Sequence, residues 1–398
     1  MPFKVKPKES VKKLISQPYA FDVVDENKIR AQKKHGIDYL IDFGIGDPSD
    51  PTPEAIRESV KQSVDATKTK GYPASIGGED LRQAITKYMG RRFNVNLNPC
   101  EVVNTYGSKY ACFQISSIFL EPGKDEHSLI PNPGYPPFAA GTLFAGGRPW
   151  FINLVEENHY QPDLEQIPGA VVDKAKIIFV NNPHSPTAQT YGVDKLKEIV
   201  DFCLDNDIIL VSDECYCDLY YDEPPKSILE VAGADECSIL LHSLSKRSMM
   251  TGYAVGFFAS KNPEILNAYA SIQRKSIQGV ANVIQDAAGK AYEDEIHPQI
   301  MREKYRERLQ AIVPALEHLG CEVVPPQGTF FLWVKVPEGE EPLSFSERLL
   351  MDYGVNCVPG NLISETFNEV NPGEKHVRFA LVPPIEKTRQ AASRLKKK

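Results

Sequence analysis

The feature that most constrains this chain is a recurring unit. A short apolar run gives way to a cluster of Gly, Pro, Asn, Asp or Ser, and a helical pattern follows. The runs His127–Pro131, Lys176–Val180, Ile208–Val211 and Ile239–Leu241 all fit it, and residues 194–206 are one of the intervening helices. Apolar runs this short, bounded by turn residues, read as buried strands. Strands that alternate with helices at βαβ spacing predict an α/β fold: a mostly parallel sheet, helices on both faces, and a ligand at the carboxyl edge. Beyond Lys261 the pattern turns largely helical. A long charged segment spans 292–320, with Pro298 as a break or start. Short strands follow at Glu322–Val324, Phe330–Val336 and Val355–Val358, a helix near Ser344–Tyr353, and a strand from His376. This shift divides the 398 residues into a large domain over 49–290 and a smaller α+β domain. Residues 1–48, an N-terminal arm and part of the small domain, join 291–398 to form the latter.

The ends of the strands carry the chemistry. Beyond Ile239–Leu241 come Ser243, Ser245 and Lys246, then glycines at 252 and 256. A lysine fixed by a core strand and desolvated by its walls has a lowered pKa and suits Schiff-base chemistry. The serine hydroxyls can donate to a phosphate. A lone lysine after a strand is more often a solvated loop residue, so the rest of the chain must supply the site. Asp213 ends Ile208–Val211, where a carboxylate can keep a ring nitrogen protonated, and Tyr216 can reach the same ligand. Gly107-Ser108-Lys109 sits between the strand Val102–Val103 and a helix over 110–120, the place where helix N-termini take phosphate. Gly44-Ile-Gly46-Asp-Pro48 is either an anion-binding turn or a plain one. Tyr135, held by prolines in Asn132-Pro-Gly-Tyr-Pro-Pro137, either stacks on a planar ligand or packs its loop. Tyr72 is either a core tyrosine or a ligand contact. Arg378 stands among apolar neighbours and needs an anion, from a ligand or from a structural carboxylate.

Composition excludes several classes. A net charge of -8 argues against nucleic acid or an anionic membrane as the main partner. The eight cysteines form no CxxC pair and no histidines stand at metal-ligand spacing, which suits reduced thiols in a cytoplasmic protein. The first residues lack an apolar core for a secretory signal, and no apolar run is long enough to span a membrane. Residues 1–18 read as a loosely held polar arm, and Pro18-Tyr19-Ala20-Phe21 as the start of an amphipathic helix to about Lys34.

Taken together, from Pro18 to Pro383, the motifs resemble in order and spacing the class I aminotransferases of fold type I, which use pyridoxal 5'-phosphate (PLP). The resemblance implies a role for each residue. Lys246 forms the imine with the cofactor and shuttles the proton, and Asp213 pairs with the pyridinium nitrogen. Tyr216 donates to the phenolic oxygen, and Tyr135 stacks on the ring. Gly107, Ser108, Lys109, Ser243 and Ser245 form the phosphate cup. Tyr72 reaches the neighbouring subunit's phosphate, which implies a homodimer with a shared active site. Arg378 grips the substrate carboxylate with help from the Gly46 backbone. Tyr19 lines the pocket or packs the helix start.

Three positions depart from the family pattern. Asn-Pro-Thr-Gly is here Ser185-Pro-Thr-Ala188, so a water or Asn182 must do for the ring oxygen what the asparagine does. The arginine of Gly-x-Arg-x-Gly is here Ala254, leaving Arg247 or Lys109 to supply the missing charge. Within the family, Pro18–Phe21 and Ser243-Leu-Ser-Lys-Arg-Ser-Met-Met-Thr-Gly252 look most like LL-diaminopimelate and N-succinyldiaminopimelate aminotransferases. The expected activity is transfer of an amino group between an amino acid and a 2-oxo acid, with glutamate and 2-oxoglutarate as one pair. Diaminopimelate-type and aspartate-type substrates are the candidates. The alternatives are a PLP-dependent lyase or cyclase, and a catalytically weakened chain on the same fold.

Overall fold

The structure, a computed structural model, describes residues 5–16, 20–66 and 71–397. A two-residue strand β1 (Ile41–Asp42) comes first. The main sheet is built from β2 (Val102–Thr105), β3 (His127–Asn132), β4 (Arg148–Asn153), β5 (Ala175–Asn181), β6 (Ile209–Asp213), β7 (Ser238–Ser243) and β8 (Gly256–Ala259). A second group follows: β9 (Glu322–Val323), β10 (Phe331–Lys335), β11 (Val355–Asn356), β12 (Val358–Pro359) and β13 (His376–Ala380).

The main sheet runs β2-β8-β7-β6-β5-β3-β4. The pairs from β7 through β6, β5 and β3 to β4 are parallel; only β8 runs against its neighbours β7 and β2. Side chains alternate across it, as the two-residue strand period requires. Ile178, Leu210, Leu240 and Phe257 enter one apolar cluster. Ile177, Val211, Leu241 and Phe258 enter another on the opposite face. Because both faces are covered, the strands read as continuous apolar runs. β6, β5 and β7 occupy the middle, so their carboxyl ends, Asp213, Asn181 and Ser243, meet along one edge.

Ile41 and Phe43 share a third apolar cluster with residues between 301 and 395, including Tyr305, Phe330, Phe331, Leu349 and Phe379. The two ends of the chain thus pack together. Tyr216 and Cys215 belong to this cluster too, which brings the loop after β6 against the C-terminal half.

Several expectations are corrected. β4 and β8 are strands that the sequence pattern does not place. In β8 the glycine start hid the strand: a Cβ on Gly256 would lie 2.1 Å from the His242 carbonyl oxygen, so the tight β7–β8 pairing demands glycine there. The single strand over 355–358 is two: β11 pairs in parallel with β1, and β12 antiparallel with β13. The helix after β2 begins at Gly107, not Tyr110, and runs to Phe119, so Gly107, Ser108 and Lys109 form its first turn. The N-terminal arm is not all loose. Glu9–Ser16 is a helix, and Lys8 lies 4.2 Å over the Phe144 ring. Tyr19 lies outside the described residues.

Candidate active site

Position 246 is fixed by β7. Ser243, the last residue of that strand, caps the short helix Leu244–Arg247: its Oγ accepts from the Ser245 N–H at 3.2 Å. The same hydroxyl donates to Ser245 Oγ at 3.0 Å. One turn of helix then aims Lys246 inward. Its Nζ donates to the Gly46 carbonyl at 2.6 Å and lies 5.6 Å from the Phe330 ring centre. Burial lowers the pKa of this amine, and nearby Arg378 lowers it further, against the opposing pull of Cys215, Asp47 and Asp213. Gly46 must be glycine for this approach, because a Cβ there would lie 2.8 Å from Phe331 Cζ.

Asp213 ends β6 and is 2% exposed. Its Oδ1 accepts from the Cys215 N–H at 3.2 Å and its Oδ2 from the Cys112 thiol at 3.6 Å; Ser108 also bonds to it. No ion pair reaches it among the described residues. Burial dominates and pushes its pKa up to about 6. Ser108 thus links the first turn after β2 to Asp213. Gly107, at φ +71°, sits so close to Ser243 that a Cβ there would lie 3.5 Å from Ser243 Oγ. Ser108, Asp213, Ser243 and Ser245 are thereby drawn to one place, while Lys109 in the same turn is exposed.

The aromatic walls come from two sides. Tyr216 packs edge-on against Phe330 and Phe331, at 5.6 and 5.9 Å between centres. Burial drives its phenol pKa well up, and neighbouring Tyr135 and Arg378 both act on it electrostatically. Tyr135 is half-buried and caps the helix Pro136–Ala145. Arg378, mid-β13, donates through Nη2 to the Gly44 carbonyl at 2.7 Å and lies 4.6 Å over the Phe331 ring. Phe331 also packs on Tyr216, and the carbonyl partners of Arg378 and Lys246, Gly44 and Gly46, stand two residues apart, so the three side chains meet at one site.

The substituted positions resolve differently. Ser185 is held through its backbone: its N–H donates to Asn181 Oδ1 at 2.7 Å, and Asn181 Nδ2 donates to the Asp213 carbonyl at 2.7 Å. Asn182 is not a stand-in for the missing asparagine. It is fully buried, and its amide bonds the Lys226 carbonyl at 2.9 Å and the Tyr191 N–H at 2.9 Å. Arg247 does not supply the charge missing at Ala254: its guanidinium is 1% exposed and bonded to Asp218 at 2.6 Å. Ala254 itself takes a left-handed φ of 48° one residue before Val255, whose carbonyl is 3.5 Å from Ser243 Oγ. Tyr72 is 84% exposed and faces solvent in the single chain.

Sequence reasoning missed Cys112, Phe330 and Phe331 as neighbours of Asp213 and Tyr216, and the buried His184. That imidazole bonds Thr187 Oγ1 and the Pro133 carbonyl, tying the loops after β5 and β3, and burial pushes its pKa down to about 3. Apolar or small residues distant in sequence carried no signal for these placements.

A mostly parallel sheet with a desolvated lysine, a buried carboxylate and a glycine-serine turn at its carboxyl edge defines the fold type I class. Residues 38–395 match the family described as aminotransferase class I and II. The chain belongs to that family and is an aminotransferase; membership implies dependence on PLP. The LL-diaminopimelate aminotransferase of Aquifex aeolicus (strain VF5) is 37% identical over 384 residues, 95% of this chain and 96% of its own. LL-diaminopimelate aminotransferase 2 of Trichormus variabilis is 36% identical over 382 residues, 95% of each chain. Among solved structures, substrate-bound BacF from Bacillus subtilis superposes with a TM-score of 0.90 at 30% identity, over 99% of this chain and 98% of its own. A Thermus thermophilus aspartate aminotransferase variant superposes at 0.87 with 26% identity, covering 99% of both. These matches support transamination and lend none to the lyase or cyclase alternative.

Proposed function

We propose that this site binds PLP through Lys246 and Asp213 and that the enzyme transaminates an LL-diaminopimelate-type substrate, with glutamate and 2-oxoglutarate as the second pair. The observation that carries the cofactor reading is the state of Asp213. A carboxylate this buried accepts only from neutral donors, and no ion pair among the described residues offsets its desolvation. A protonated ring nitrogen fits that need, and the lowered pKa of Lys246 fits an amine that must be neutral to attack an aldehyde. When bound, PLP supplies that aldehyde and a cationic ring that draws electrons from the substrate's α-carbon.

The chain's own residues do the rest. Ser108, Ser243 and Ser245, with the Gly107 backbone, hold the phosphate, joined by Lys109 if its exposed stem folds inward. Tyr135 covers the ring and Tyr216 donates to its oxygen; Ser185 sits on the same side and works through water. Arg378 exchanges the Gly44 carbonyl for the substrate's α-carboxylate, a stronger, bidentate partner. Lys246, released from the Gly46 carbonyl, takes and returns the proton at the α-carbon. Tyr72, so exposed in one chain, completes the cup of a second copy, so the enzyme is a homodimer. No described helix is long and apolar enough to cross a membrane. All eight cysteines are free, and a cytoplasmic location suits them.

The substrate reading rests on relatives named LL-diaminopimelate aminotransferases. Purified protein is titrated with PLP, reduced with borohydride, and the modified peptide located. Label on Lys246 is expected; a saturable visible band with label elsewhere overturns the site. The loaded enzyme is then given LL-diaminopimelate, aspartate and glutamate separately, with 2-oxoglutarate or oxaloacetate as acceptor. Fastest turnover with LL-diaminopimelate is expected, and fastest turnover with aspartate replaces the reading by an aspartate-type one.

A further inference from the structure

Behind the site lies a buried polar network that the proposed chemistry does not use. Its centre is Asp218. Oδ2 accepts from Arg247 Nε at 2.6 Å and from Tyr88 Oη at 2.9 Å; Oδ1 accepts from Arg92 Nε at 3.1 Å. Arg247 is anchored beyond this pair. Nη1 donates to the Ala291 carbonyl at 2.6 Å and Nη2 to the Asp294 carbonyl at 2.9 Å, at the end of the helix Asn282–Glu293.

Its place in the chain gives the network more than a packing role. The parallel ladder between β6 and β7 stops at Asp213 opposite Leu241, with one further bond from the Glu214 N–H to the Leu241 carbonyl. Tyr216 and Lys246 both stand beyond that ladder, with no backbone hydrogen bond between their segments among the described residues. Arg247 is peptide-bonded to Lys246, and Asp218 lies two residues past Tyr216. Their ion pair therefore joins the two segments that carry the reacting groups, at the point where backbone pairing no longer does. A guanidinium fork holds direction as well as distance.

We propose that Asp218 and Arg247 are positioning residues, whose ion pair sets where Lys246 stands relative to Asp213 and Tyr216. The proposal rests on the reading of Lys246 as the reactive amine. Misplacing a reacting group by an ångström can cost about a hundredfold in rate. Arg92 is the control: it holds the same carboxylate from the helix Glu79–Phe93, far along the chain from Lys246.

The test compares Arg247→Lys, which keeps the charge and loses the fork, with Arg92→Lys in the full-length, PLP-loaded enzyme. Arg247→Lys is expected to lower kcat by about ten- to a hundredfold with KM for the donor nearly unchanged, since Arg378 is intact. It is also expected to shift the pH profile of Lys246 acetylation in cofactor-free protein. Arg92→Lys is expected to cost comparable urea stability with a much smaller change in kcat and no shift in that profile. If Arg247→Lys does not fold, Asp218→Glu is read by the same criteria. Equal loss of kcat in both variants, in step with stability, or an unmoved acetylation profile in Arg247→Lys, overturns the proposal. The acetylation profile needs no turnover, so a failure of the transaminase reading shows separately, as native protein that neither loads PLP nor converts a donor.

Discussion

Asp213 ends β6 and Asp218 lies five residues further on, in the loop that follows; both are buried, at 2% and 4% exposure. Burial alone would raise both pKa values. Yet Asp213 is pushed up to about 6, while the Arg247 and Arg92 guanidiniums hold Asp218 well below the usual carboxylate range. Asp218 is a closed account of charge: two cations and a phenol meet it within the protein. Asp213 is open, with a thiol, a hydroxyl and a backbone N–H. The difference separates a carboxylate met by cations within the protein from one that accepts only from neutral donors.

The comparison can be broken most directly at the amine. Lys246→Ala is expected to fold normally and to lose transamination to background with every donor, measured by coupled assay. Persistent turnover would mean that the open carboxylate and the lysine do not belong to one reaction.

Next is Asp218→Asn. Removing one partner of a buried, hydrogen-bonded pair leaves the Arg92 and Arg247 guanidiniums without their buried carboxylate, at a cost of about 3–5 kcal/mol. The native contribution is present above the ordinary carboxylate pKa and is lost only as pH falls through the depressed value. The loss should therefore be undiminished between pH 6 and 8 in urea unfolding.

Asp213→Asn should act in the opposite sense on the cofactor-free chain. A folded pKa raised from 3.8 to about 6 means that stability falls as pH rises across that interval. The neutral amide avoids this, so the variant should gain on the order of 2–3 kcal/mol at pH 7, with the difference vanishing below about pH 4. Affinity for PLP should drop at the same time. Destabilisation like that of Asp218→Asn would show that Asp213 is already satisfied by the protein.

The effect at Glu214 has the same sign as that at Asp213. Burial pushes its carboxyl up to about 8 from 4.5; Oε1 accepts from the Ile228 N–H at 2.7 Å, while Oε2 is buried without a hydrogen-bond partner. Held protonated at neutral pH, it should make native stability decline from about pH 5 to 8, and Glu214→Gln should flatten that slope with little change at pH 5. An unchanged slope in urea midpoints would show the group to be ionised.

Much of this molecule was legible from residues alone where a local rule governs. The runs of β3, β5, β6 and β7 announced themselves because strands buried on both faces are continuously apolar. Lys246, Asp213 and Gly107 stood out because they follow such runs. β8 was hidden by Gly256, which serves packing against His242 and not strand propensity. The short Val355–Val358 run could not show that it would serve two sheets, since partner choice lies with β1 and β13. Arg247 and Asn182 looked available for the cofactor in sequence, where neighbours in space are invisible.

By itself the sequence determined the α/β architecture and the order of the reactive groups along the strand ends, because periodicity and turn chemistry act over a few residues. Only the tertiary structure decided which charges remain open. A side chain's electrostatic state depends on what lies within a few ångströms, and for Asp213, Asp218 and Arg247 the deciding side chains arrive from 29 to 130 residues away.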